Sequence, residues 1–88
     1  MKKSTINVAK NILQSKGIDI LEMCNYFKYK NLINDRQLLV IEERIKETAL
    51  SEIAILMGIS KGRVYEIERS MRSKLIHPKW IKEFLNEK

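Results

Sequence analysis

Residues 50–67 read Leu-Ser-Glu-Ile-Ala-Ile-Leu-Met-Gly-Ile-Ser-Lys-Gly-Arg-Val-Tyr-Glu-Ile. Two helices that cross at a tight turn need a small residue where they touch, a residue tolerant of positive φ at the turn, and apolar residues facing inward on both sides. Ala54 fills the contact position, Gly58 the turn, and Ile53, Met57, Ile59, Val64 and Ile67 the inward face. This is the pattern of a helix-turn-helix unit, whose second helix enters the major groove of DNA. Nucleic-acid recognition is therefore the leading expectation.

Outward from this unit the chain is helical throughout. Ser4 or Thr5 is placed to cap a first helix carrying Ile6, Ala9, Ile12 and Leu13, and Gly17 to end it. Asp19 with Glu22 three residues on is spaced as a capping box for a second helix. That helix buries Ile20, Met23 or Cys24, and Phe27. Asn34 with Gln37 repeats the device for a third helix, with Leu38, Ile41 and Ile45 inward. A link at 46–49 leads to the pair 50–57 and 60–76. His77-Pro78 stops the second of these, because a residue before proline avoids the helical region. Pro78 then opens a short last helix with Trp80, Ile81, Phe84 and Leu85. The expectation is a single all-α domain, residues 1–88, of about six helices.

On the helix 60–76, Val64, Ile67, Met71 and Leu75 form the anchoring stripe, while Gly62, Tyr65, Glu66, Arg69 and Ser73 point away from it. Lys61, Gly62, Tyr65 and Glu66 are placed to meet base edges. Arg63, Arg69, Arg72 and Lys74 suit phosphates, and the helix start at Ser60 adds free N–H groups for the same purpose. Glu66 and Glu68 have a plainer reading as surface ion-pair partners of the neighbouring arginines.

Composition agrees with a polyanionic partner. The 88 residues carry a formal charge of +6. Between Ser60 and Lys82 seven basic residues face only Glu66 and Glu68. Cys24 is the only cysteine, which excludes an internal disulfide or a cysteine-built zinc site. No apolar stretch approaches the roughly 20 residues that span a bilayer, and no signal-like start is visible, so a cytoplasmic, nucleoid-associated protein is expected. Catalysis is not expected. His77 is the only histidine, no nucleophile–base pair presents itself, and Gly17, Gly58 and Gly62 are too scattered for a phosphate loop. No cofactor or metal is implied.

Arg63-Val64-Tyr65-Glu66-Ile67-Glu68, followed by Lys74-Leu75-Ile76-His77-Pro78, resembles the end of region 4 in bacterial primary sigma factors, where Arg-Val-Arg-Gln-Ile-Glu is followed by Lys-Leu-Arg-His-Pro. Leu32 to Gln37 is similar to the start of the preceding region-4 helix, and Lys82-Glu83-Phe84-Leu85 to the tail after His-Pro. The likeness covers residues 32–86 and leaves 1–31 as a helical extension without a counterpart. It implies a free-standing region-4-like domain with two surfaces. One reads promoter DNA through the helix 60–76. The other, drawing on the helix that begins at Asn34 and on Trp80, Ile81, Phe84 and Leu85, holds the β flap of RNA polymerase or a sigma-related partner.

The chain also departs from that pattern. Lys61, Gly62 and Tyr65 stand where sigma factors usually carry arginine, glutamate and arginine, so the usual promoter preference does not transfer. Two other readings remain open from sequence: a dimeric helix-turn-helix repressor or activator, and a region-4 mimic acting only through protein contacts.

Overall fold

The computed structural model describes residues 5–87. It contains six helices: α1 (Thr5–Ser15), α2 (Ile20–Tyr29), α3 (Asp35–Ile45), α4 (Leu50–Met57), α5 (Lys61–Leu75) and α6 (Pro78–Asn86). No strand occurs among the described residues. The expected boundaries of the 50–57 and 60–76 helices agree with α4 and α5 to within a residue.

Local chemistry explains most of the helix ends. Asn34 and Gln37 form a reciprocal capping box at α3, both bonds at 2.9 Å. Ser60 caps α5 by accepting from the Arg63 N–H at 3.1 Å. Pro78 opens α6, with the His77 imidazole Nδ1 accepting from the Lys79 N–H at 3.2 Å. Gly17 and Gly58 take φ of +75° and +66°, which lets the chain turn sharply after α1 and α4. One expectation needs correction. Asp19 stands at the α2 N-cap, yet its side chain makes no capping bond. Thr5 is already the first residue of α1, and the alternative cap Ser4 lies outside the described residues.

The apolar side chains sort into two clusters. The larger joins Ile6, Ala9 and Leu13 of α1 to Met23, Cys24 and Phe27 of α2, Met71 and Leu75 of α5, and Ile81 and Phe84 of α6. The smaller joins Val40 of α3, Ile53 and Ala54 of α4 and Val64 of α5, with Met57, Ile59 and Ile67 packed against it. The α4–α5 pair is thus completed by α3, through a fully buried Val40 that the sequence reading did not single out. Leu38 and Ile45, expected inward, are only half-buried. α5 packs against every other helix, and Ile67 touches both clusters. Since α1 and α2 supply much of the larger cluster, residues 5–31 belong to the same folded body as the rest.

Glu68 is the one buried charged residue among those described, at 1 % exposure. It is no surface ion-pair partner. Its Oε1 accepts from Arg44 Nε of α3 at 3.2 Å and from the Ile6 N–H of α1 at 3.4 Å. Arg44 Nη1 also donates to the Thr48 carbonyl at 2.7 Å, in the turn that leads into α4. One carboxylate therefore satisfies a donor at the open end of α1 and pins α3 and the α3–α4 turn to α5.

Cys24 is fully enclosed in the larger cluster. Burial, reinforced by Glu42 and Asp19, pushes its thiol from the ordinary 9.0 up to about 12. Because the folded value is raised, the stability that comes from keeping this thiol neutral is complete below pH 9 and fades as pH climbs towards 12. At pH 8 the folded protein is expected to resist iodoacetamide. Labelling should accelerate in step with the urea unfolding transition; rapid alkylation of the native chain would show an open core.

Removing one member of the buried ion pair strands the other. Glu68→Leu is expected to lower unfolding free energy by about 3–5 kcal/mol, and adding Arg44→Met should restore much of it. Urea denaturation of the single and double variants measures both effects.

Candidate nucleic-acid interface

The N-terminal half of α5 is anchored by Val64, Ile67 and Glu68 on its inner side, and the remaining positions face outward. Ser60, Lys61, Gly62, Arg63, Tyr65, Glu66 and Arg69 are all exposed. Such a run on α5, the second helix of the α4–α5 pair, forms an exposed polar edge. It carries three cations, a phenol, a carboxylate and a helix N-terminus. The Ser60 cap consumes the Arg63 N–H, while the Lys61 and Gly62 amides of the first turn have no intrahelical acceptor to bond. They project from the positive end of the helix dipole, which suits a phosphate oxygen.

Arg63 and Glu66 pair across one turn, Nη1 to Oε2 at 3.1 Å, with side chains 64 % and 69 % exposed. An ion pair this open contributes a few tenths of a kcal/mol at most, so it yields readily to a stronger anion. In the unbound chain it holds the guanidinium at the edge rather than letting it sweep freely. Tyr65 is 44 % exposed, large enough for stacking or hydrogen bonding without being held in the core.

Two of the expected phosphate residues sit elsewhere. Lys74 is half-buried and its Nζ donates to the Leu32 carbonyl at 3.4 Å, which commits it to the α2–α3 turn. Arg72 is half-buried, and its Nε is enclosed without a hydrogen-bond partner among the described residues. Both lie in the half of α5 that packs into the larger cluster, where long basic side chains lie along apolar neighbours.

A cation outside the expected set lies beside Arg63. Arg36, in the first turn of α3, lines a recess of about 230 Å³ together with Arg63. Its Nη2 donates to the Met57 carbonyl at 3.4 Å, capping the last turn of α4. Two guanidinium groups thus border one concavity beside the α5 N-terminus. The signal was present in sequence as an arginine two residues after the Asn34 cap. Only packing brings it next to Arg63.

The tail helix does not offer the apolar face expected of it. Ile81 and Phe84 are buried, at 8 % and 6 %, and Trp80 is half-buried against Phe27 with ring centroids 5.9 Å apart. These three side chains complete the larger cluster, and of the four expected tail residues only Leu85, at 45 %, is exposed. The reason is size: a small domain has too little apolar surface to leave an aromatic pair uncovered.

Among the described residues no group of three or more His, Cys, Asp or Glu side chains could hold a metal ion. No described helix is long and apolar enough to cross a membrane. No protein-family model, curated protein or solved structure matches the chain significantly.

Gly62 separates fold from function. A methyl group built at this position meets nothing within 4 Å, and its φ is not positive, so the fold does not require glycine there. Gly62→Ala is expected to stabilise the protein by about 1 kcal/mol through helix propensity. If a ligand backbone approaches that turn closely, the same variant binds more weakly while melting higher. Thermal melts and binding isotherms on one preparation read the two effects separately.

Proposed function

We propose that the protein is a DNA-binding transcription regulator that inserts the N-terminal half of α5 into the major groove of double-stranded DNA. The observation that carries this reading is the exposed edge formed by Lys61, Gly62, Arg63, Tyr65, Glu66 and Arg69 on a helix-turn-helix pair, with Arg36 beside it. Lys61, Arg63, Arg69 and Arg36 supply the phosphate contacts. Tyr65 and Glu66 face base edges, with the Glu66 carboxylate suited to a cytosine N4 amino group. The likeness to sigma region 4 extends the reading to transcription initiation in the company of RNA polymerase. A pull-down from nuclease-treated host lysate tests that extension.

Four phosphate contacts set a salt slope of about −3 to −4 in log K against log[salt]. Arg63→Ala is expected to weaken all DNA sequences alike and to reduce that slope by about one unit. Glu66→Ala should instead relax selectivity at a single base pair by about 1–3 kcal/mol, leaving the slope unchanged. Fluorescence anisotropy over a salt series, paired with binding-site selection for each variant, makes the comparison. An unchanged slope for Arg63→Ala removes that residue from the phosphate set, and absence of DNA binding by the folded wild type overturns the reading.

A further inference from the structure

Two apolar surfaces of the chain are left without a partner, and they carry opposite charge. The first is the outer face of α4. Ile55 and Leu56 are 81 % and 68 % exposed, the most exposed aliphatic side chains among the large hydrophobics. Exposed Glu52 stands one turn before them and carries no ion pair among the described residues. The second is a groove of about 490 Å³ at the other end of α5, floored by Ile76, Pro78, Ile81 and Leu85 and flanked by Lys16 and Lys82. No acidic side chain lines it. On α6, Glu83 falls on the opposite side of the helix from Ile81 and Leu85, and Glu87 is engaged by Lys30 at 2.9 Å.

The two surfaces cannot meet within one molecule. α4 packs beside Val64, and the groove begins at Ile76, twelve residues on and about 18 Å farther along the helix axis. A short amphipathic helix with adjacent aliphatic anchors and a carboxylate one turn away is complementary to an apolar groove edged by lysines. Such a helix is present on the chain itself. We infer that the groove receives α4 of a second copy of this protein: Ile55 and Leu56 enter between Ile76 and Leu85, and Glu52 faces Lys82 or Lys16. Because the contact joins two different patches, it is heterologous and propagates head to tail instead of closing into a two-fold dimer. Each patch is far smaller than the about 800 Å² per partner of a stable complex, so free copies associate weakly, with a dissociation constant of about a millimolar. The inference needs no DNA and stands apart from the proposed function.

Its test uses two variants that each keep one surface. Leu85→Glu blocks the groove and leaves α4 intact; Leu56→Glu blocks the α4 face and leaves the groove intact. Circular dichroism checks that both fold, with Leu85→Ser and Leu56→Ser as substitutes if either does not. In sedimentation equilibrium near millimolar concentration, the wild type is expected to form species that grow with concentration. Each variant alone should stay monomeric, and their equimolar mixture should form a 1:1 dimer that grows no further. Adding Glu52→Lys to the groove-blocked copy should weaken the mixed dimer about tenfold, and Lys82→Glu in the other copy should restore it. A mixture that remains two monomers overturns the inference, and leaves the groove to a different protein. Self-association of either variant alone also overturns it, because a two-fold or unrelated contact is then responsible.

Discussion

The carboxylate of Glu68 is the constraint on which the arrangement of helices depends. A buried charge is costly to desolvate, and it persists only where hydrogen-bond donors converge on it. Here the donors come from Arg44 of α3 and from the first turn of α1, while the same arginine ties down the Thr48 carbonyl just before α4. The interaction is better understood as a device for position than as a source of stability. Hydrophobic contacts alone tolerate some rotation of α5 about its axis. A carboxylate with fixed donors on two other helices tolerates very little, and such a rotation would move Lys61 to Arg69 off the exposed edge.

Around that pin, α5 serves two cores at once. Val64 belongs to the cluster shared with α3 and α4, Met71 and Leu75 to the one shared with α1, α2 and α6, and Ile67 to both. The α4–α5 pair has only a few buried aliphatic side chains of its own. Each is worth about 1.5–3 kcal/mol, too little to offset the entropy of ordering three helices. Continuity of α5 into the larger cluster lends it the missing support. This is the physical role of residues 5–31, whose helices bury Ile6, Leu13 and Phe27 against the body of the domain.

Much of this fold was legible before any coordinates. Asn34 with Gln37, Ser60, Gly58 and His77-Pro78 act through bonds and torsions a few residues long, so sequence spacing alone reveals them. What stayed hidden is long-range. Glu68 lies 62 residues from Ile6 and 24 from Arg44, and periodicity treats any charge as solvent-facing until a partner across the core is known. Arg36 and Arg63 share a recess only because α3 crosses the start of α5. The tail illustrates the converse. Trp80, Ile81 and Phe84 have a pattern that suits a partner groove as well as a core, and only packing against Phe27 and Tyr26 decides between them. The exposed edge of α5 was readable because it is defined by what one helix leaves outside. Lys74 failed by the same test, since its anchor is the Leu32 carbonyl of another segment.

On the proposed reading, in which the α5 edge meets DNA, the one carboxylate among its cations governs how sequences are discriminated. With Arg63 held by Glu66, each DNA contact made by the arginine first breaks an exposed pair of low value, so the net cost is small. The carboxylate it releases is then close to the bases and to phosphates. There it is stabilised only where a donor such as a cytosine amino group lies opposite, and is repelled elsewhere. Selectivity from this source arises by penalising wrong sequences, and its total is bounded by one or two base pairs. A single domain that reads so little gains specificity mainly by placing several copies side by side. If neighbouring copies touch with a dissociation constant near a millimolar, adjacency on DNA at effective concentrations of about 1–10 mM multiplies occupancy roughly two- to tenfold per contact. That gain is too small to hold free molecules together, yet it compounds along consecutive sites. In that arrangement the coupling is rigid, because one uninterrupted helix, α5, carries the exposed edge on its first turns and ends at the groove.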